Sequence, residues 1–415
     1  MPQPRAWLAS RSAFGYSPHP YPFLSALNDE NQKTLERSIS FYQGRIQTSP
    51  DDGLDRAALA NLYIQLARIT ENEDWYLTAE QLAQESLANL PFNNNAALLA
   101  LAKIASARHD FTEAIRLSEQ ATGEDAIAIA IAAKLAMGKV SEAAAEAQTL
   151  VDRHQSLGSL TLRGLVHSAQ GDDDRAMEDF QQAIASEEVS EPRGSAQVRT
   201  FLGEIYLNQG EPILAKQLYR EALQIVPDYP LTYIHLAELE LVMGDFRAAE
   251  GYYERVGTSE ALHGIARARA LQGKAGDEAW DVAEAALRQK LDSNSTGYSR
   301  DLAHLLLERG DSADVAEAIA LMETEVTRRR DVKTLDLLAW ALTRANRWKD
   351  AQGVMQEALD HEIQDAAIAY RAGEIELALD NSDRAAQLFQ LAQSIEPGFN
   401  HQSRQRLGLV AQNLD

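Results

Sequence analysis

Along most of this chain, apolar positions recur at spacings of three and four, the period of an amphipathic helix. Leu35, Ile39, Tyr42 and Ile46 share one face and predict a first long helix over 30–48. Ser49-Pro50 ends it, because the residue before proline is pushed out of the helical region. Beyond it the pattern predicts paired helices of about a dozen residues, joined by short turns, at 57–91, 95–123, 124–155, 157–190, 196–229, 230–258, 259–292, 296–331, 332–365 and 366–399. Gly138, Gly171, Gly210, Gly244, Gly273 and Gly310 mark the turns, and acidic residues follow several of them as caps of the next helix. ITENEDWYL at 69–77 is expected to lengthen the first inter-helix connection, and SEEVSEPRGS at 186–195 to widen a gap between pairs. Two units are spaced at about 29 residues, which predicts shortened second helices.

The units also match one another. Leu202-Gly203, Gly210, Ala215 and Tyr219 recur 34 residues later as Leu236-Ala237, Gly244, Ala249 and Tyr253. Near the C-terminus, Leu338-Ala339, Ala351, Met355 and Ala358 recur as Ala372-Gly373, Ala385, Phe389 and Ala392 at the same spacing. A 34-residue period of small–aromatic–small positions resembles the tetratricopeptide repeat (TPR) family over about 57–399. The resemblance implies an all-α fold, a right-handed superhelical solenoid of about ten TPR-like repeats with terminal capping helices. The expected organisation is an extended arm over 1–29, a capping helix over 30–48, the solenoid over 57–399 and a capping helix over 400–415. Repeats are irregular over 57–155 and regular over 157–253 and 332–399. The C-terminal block also looks like a recurring type of bacterial multi-repeat protein.

The arm stands apart by composition. Five of the 12 prolines (Pro2, Pro4, Pro18, Pro20, Pro22) alternate there with Trp7, Phe14, Tyr16, Tyr21 and Phe23, a mixture that favours extended backbone. Arg5 and Arg11 against Asp29 give the arm +1, which leaves −24 of the total −23 on 30–415. So acidic a chain lacks the basic footprint of a protein for nucleic acid or anionic membranes, and it suits basic partners. There is no cysteine, hence no disulfide frame and no thiolate chemistry. The most apolar run, 126–137, is too short to span a bilayer, and the N-terminus lacks the apolar core of a signal peptide. The expected location is cytoplasmic, with export the alternative if a signal segment was removed.

Candidate chemistry is sparse. The nine histidines form no metal-ligand spacing, so they read as packing or surface residues and no metal or cofactor is expected. Asp51-Asp52 and Asp172-Asp173-Asp174 sit at turns and read as caps rather than calcium loops. Arg328-Arg329-Arg330 is expected to end a helix, facing its negative dipole end, with a local anionic contact as the alternative. No phosphate loop, nucleophile elbow or kinase signature occurs, so an enzyme is not expected.

In the TPR family the first helix of each pair lines a concave groove that holds peptides. Carried onto this chain, the inward positions are Thr200, Glu204, Asn208, Ile234, Glu238, Leu241, Asp336, Trp340, Arg344, Tyr370 and Glu374. Trp340 and Tyr370 are the candidate aromatic anchors, with packing against the next repeat the other reading of Trp340. Trp348 takes a core position held elsewhere by Phe111 and Phe246. The charge is wrong for gripping acidic chaperone tails, so a basic or aromatic-rich protein or peptide is the expected partner. The function expected is a non-enzymatic scaffold for assembly or regulation of a complex. The alternative is an adaptor whose arm occupies a groove or hooks a second copy into a homodimer; an enzyme or nucleotide-binding regulator is the weakest reading.

Overall fold

A computed structural model describes residues 19, 21–22, 30–70, 72–274, 277–292, 298–400 and 403–404. Most of the arm and all of 405–415 lie outside them, including most of the expected final helix. Every regular element among the described residues is a helix, beginning with α1, Glu30–Thr48. Pairs then follow: α2 Gly53–Thr70 with α3 Asp74–Asn89, α4 Asn95–Ala107 with α5 Phe111–Gln120, and α6 Glu124–Ala136 with α7 Val140–Arg153. Next come α8 Leu157–Ala169 with α9 Asp173–Ala185, α10 Pro192–Asn208 with α11 Pro212–Ile225, and α12 Pro230–Met243 with α13 Phe246–Tyr253. The last pairs are α14 Ser259–Leu271 with α15 Asp277–Asp292, α16 Ser299–Arg309 with α17 Ser312–Glu325, α18 Val332–Arg344 with α19 Trp348–Leu359, and α20 Ala366–Ala378 with α21 Ser382–Ile395. The fold is an all-helical repeat solenoid.

Local chemistry fixes these boundaries. Pro192, Pro212 and Pro230 open α10, α11 and α12, where the missing N–H costs nothing. Asp172 and Asp331 accept the backbone N–H of Arg175 and Thr334, capping α9 and α18. Gly244 and Gly310 close α12 and α16 in the left-handed conformation, at φ 80° and 83°. Where a turn lacks glycine, His109, Asn346 and Asp380 take that conformation instead, residue types that tolerate it better than most. The short spacings fall on α5 and α13, of 10 and 8 residues.

Two expectations need correction. The extra residues at 69–77 extend α2 to Thr70 rather than lengthening the connection, since α3 starts at Asp74. Arg328-Arg329-Arg330 does not end a helix: α17 stops at Glu325, so the triplet occupies the loop before α18.

Within the pairs α8/α9, α10/α11 and α20/α21, an aromatic ring of the second helix packs against a glycine of the first. A Cβ at Gly373 would fall 2.6 Å from Phe389 Cε1, and Gly164 and Gly203 meet Phe180 and Tyr219 in the same way. Phe180 is wholly enclosed, so truncation to alanine should cost about 3–5 kcal/mol. First helices of consecutive pairs touch one another along most of the array, whereas second helices pack chiefly on the first helices before and after them. The first helices therefore hold the shorter, inner radius of the curve.

The array curves far enough to meet itself. Ser141, at the start of α7, gives its N–H and hydroxyl to Glu362 at 2.6 and 2.7 Å, across 221 residues. Gln364 N–H donates to Ala169 O at 2.9 Å, and Gly398 N–H to Asn208 O at 2.8 Å. Ile363 packs on the Ile131–Val140 cluster as well as on its own core. On the far side Lys290 reaches Glu73 at 2.7 Å across 217 residues, and Tyr298 bonds the same carboxylate. Successive turns of the coil are thus stitched edge to edge.

Candidate inner groove

The inner wall from α12 to α20 is built from side chains one helical turn apart on successive first helices. At its centre lies Glu308 of α16, nearly inaccessible to water. Arg267 Nη2 approaches its carboxylate at 2.7 Å, His263 Nε2 at 2.9 Å and His304 Nε2 at 3.2 Å. Burial works to raise the Glu308 carboxyl, but Arg267 and the histidine hydrogen bonds hold it well below the usual range. Burial pushes His263 down to about 4, so its ring is neutral and donates to Glu308. The ladder continues through aromatic contacts: His263 to His304 at 5.1 Å, and His304 to Trp340 at 5.4 Å. Arg371 then covers the Trp340 ring at 4.6 Å and pairs with Asp336 at 2.7 Å.

Beside this neutralised ladder stand carboxylates of a different kind. Burial raises the Glu260 carboxyl, helped by the charges of Glu238 and Asp301. Burial raises Asp301 too, against the pull of Arg300, and likewise Asp336 against Arg371 and Glu374 against Arg371. Glu260 and Asp301 reach water, yet protein surrounds most of their solid angle, as a concave wall requires. Like charges crowded there penalise one another, and a cation entering the groove would relieve that penalty.

A family model described as tetratricopeptide repeat matches residues 130–190, 161–230 and 337–398. Over those segments the chain carries tetratricopeptide repeats. No curated protein matches it. Among solved structures it is similar to yeast Tom70, with 12% identity, 92% of this chain and 94% of that chain covered, and a TM-score of 0.42. It is also similar to a thermophilic TPR protein from Thermus thermophilus, with 20% identity, 44% of this chain and 99% of that one covered, and a TM-score of 0.38.

The inward positions expected of a TPR groove separate into several groups. Thr200, Ile234, Leu241 and Trp340 are buried and offer a partner no surface. Thr200 bonds the Thr232 hydroxyl at 2.7 Å, Leu241 joins the core around Tyr219 and Tyr253, and Trp340 packs between His304 and Arg371. Packing is therefore the reading of Trp340 that its surroundings support. Asn208 belongs to the stitched edge rather than the groove, through its carbonyl bond from Gly398. Arg344 is exposed and lies over the Gly310 turn, with Nη2 3.5 Å from Gly310 O. Tyr370 is half-buried against Phe389, Phe399 and Arg404. Glu204, Glu238, Asp336 and Glu374 are half-buried.

Sequence reasoning missed His263, Arg267, Arg300, His304 and Glu308, and with them Glu260 and Asp301. The usable signal was Gly273 and Gly310: counting back from these turns by the interval separating Gly210 from Thr200 and Glu204 reaches His263 and Arg267, then Arg300 and His304.

A second built contact lies at the edge where α10 begins and α11 ends. Tyr21 of the arm is buried among Ala196, Ala222, Ile225 and Tyr229, and its hydroxyl donates to Glu188 O at 3.0 Å. Arg199, wholly buried, donates to His19 O at 2.6 and 3.1 Å, while Glu221 accepts the His19 N–H at 3.2 Å. Glu187 and the Ser195 carbonyl take further guanidinium donors. The wide gap at 186–195 thus holds a clamp that reads both backbone groups of one arm residue.

Proposed function

We propose that this TPR protein is a non-enzymatic scaffold that receives a basic, extended segment of a protein partner in its inner groove, in the assembly or regulation of a complex. The observation that carries the reading is the crowding of Glu238, Glu260 and Asp301, whose charges raise the Glu260 carboxyl alongside its burial. Complementary charge would set association rate and specificity more than affinity. An arginine-rich peptide titrated into the full chain by fluorescence anisotropy should bind, and binding should weaken as salt rises. Replacing Glu260 by Gln and Asp301 by Asn together should abolish most of it. Undiminished binding by that folded variant would remove the groove from consideration. Because these carboxyls titrate above their ordinary range, binding should fade on acidification before ordinary surface carboxylates are neutralised.

A second reading is supported by the arm clamp, in which the chain is its own first ligand. The described part of the arm sits at the repeat edge, so displacement there, or exchange with a second copy, would regulate the scaffold without filling the groove. Removing residues 1–22 and measuring mass by light scattering and peptide affinity by anisotropy tests it. If neither quantity changes, the arm is only a strap.

A further inference from the structure

The stitched edge borders a half-open cavity of about 490 Å³ between the loop before α18 and the turns after α4 and α6. Cations converge on it from both turns of the coil: Arg108, Lys139, Arg328, Arg329 and Arg330, with His109 beside them. Three acidic residues also line it, and all make contacts, although Glu325 Oε2 is buried without a hydrogen-bond partner. Asp110 caps α5, Asp331 caps α18 and pairs with Arg300 at 2.9 Å, and Glu325 Oε1 lies 2.5 Å from Arg329 Nε. Some cations are engaged as well. Arg330 forks onto Glu357 at 2.5 and 2.7 Å, and Arg108 meets Glu80 at 2.8 Å.

What remains is unusual. Arg329 Nη1 and Nη2 are buried and have no hydrogen-bond partner, and the Glu325 contact to Nε is a charge contact without hydrogen-bond alignment. A guanidinium with unused donors costs free energy that an oxyanion would recover once the side chain turns its covered Nη groups toward the cavity. The Arg328 side chain has neither hydrogen bond nor ion pair among the described residues, and is exposed at the same loop. Surrounding protein, and less strongly the charges of Arg300 and Arg329 against that of Asp331, push His109 down to about 4. Phe111 and Met137 give the cavity apolar walls, and its volume suits a small organic molecule rather than a bare ion.

We propose that this cavity binds a small organic oxyanion, a carboxylate or phosphate ester with an apolar body, whose charged end is held by Arg329 and Arg328. Bound there, the anion would tie the turns after α4 and α6 to the loop before α18, so an anionic metabolite would stiffen the scaffold.

Isothermal titration of the full chain at low salt, with phenyl phosphate, benzoate and inorganic phosphate as probes, tests the proposal. Phenyl phosphate or benzoate should bind one per chain and more tightly than inorganic phosphate, which lacks the apolar body. Arg329→Gln should weaken binding about tenfold or more, the loss expected for a charged hydrogen bond. Arg328→Gln should weaken it less, and the exposed control Arg153→Gln should leave it unchanged. If Arg329→Gln loses its helical dichroism, Arg328→Gln and Lys139→Gln carry the comparison. Absence of binding by both organic anions into the millimolar range, or an equal loss in Arg153→Gln, overturns the site.

Discussion

The inner wall changes character between α12 and α14. On the earlier side the rung joining α10 to α12 is a pair of hydroxyls, Thr200 and Thr232, 2.7 Å apart. On the later side it is a buried carboxylate ringed by an arginine and two histidines. Both sides use the same packing between paired helices, Gly203 against Tyr219 and Gly373 against Phe389. The array is therefore specified by the small–aromatic positions, and the inner positions are left to carry different chemistry. A hydroxyl rung can be replaced by apolar groups of its own shape. A buried carboxylate cannot lose its place without stranding the charges around it.

Glu308→Ala should show the contrast most strongly. It leaves Arg267 buried without an anion and should cost about 3–5 kcal/mol in denaturant unfolding; a cost like that of a surface change would show that the ladder is solvated after all. Acidification comes next. His263 and His109 titrate near 4 in the folded chain and at 6.5 when unfolded, so only the unfolded state takes up their protons between those values. Their contribution is whole above 6.5 and is lost as pH falls toward 4, with Glu308 adding its own loss below its ordinary value of 4.5. His263→Gln, which keeps a donor toward Glu308, should flatten the slope measured by chemical denaturation. Ala215→Leu and Ala351→Leu overpack equivalent positions on the two sides, and each should cost about 1–3 kcal/mol. Unequal costs would mean that the two scaffolds differ as well as their walls. Least of all, Thr200→Val with Thr232→Val removes both partners of one rung and should move the unfolding free energy by no more than about 0.5 kcal/mol.

The paired helices were legible because their signal is local. A small residue, a turn glycine and an aromatic recur at a fixed interval, and Tyr219, Tyr253 and Phe389 pack as that interval requires. The groove was legible only where the interval is regular. In α14 and α16 the small–aromatic signature is weak, and the residues that dominate the wall went unread there. Burial was the harder quantity. Trp340 looks like an exposed anchor in sequence, but whether a ring faces solvent depends on His304 and Arg371, which approach it from neighbouring repeats. The stitched edge was illegible altogether, since Ser141 and Glu362 carry no pattern that would join residues 221 apart. Arg328-Arg329-Arg330 was visible as a run, but its setting opposite Arg108 and Lys139 follows from the same long-range closure.

The bonds from Ser141 to Glu362 and from Gly398 to Asn208 also have a mechanical meaning. A helical-repeat coil without them stretches as a soft spring, each repeat opening slightly under load. Joined coil to coil, this one should resist extension as a short rigid barrel until the stitches part, and then lengthen abruptly. Pulled from its two ends, it would behave as a fuse with a threshold force rather than as a linear elastic element.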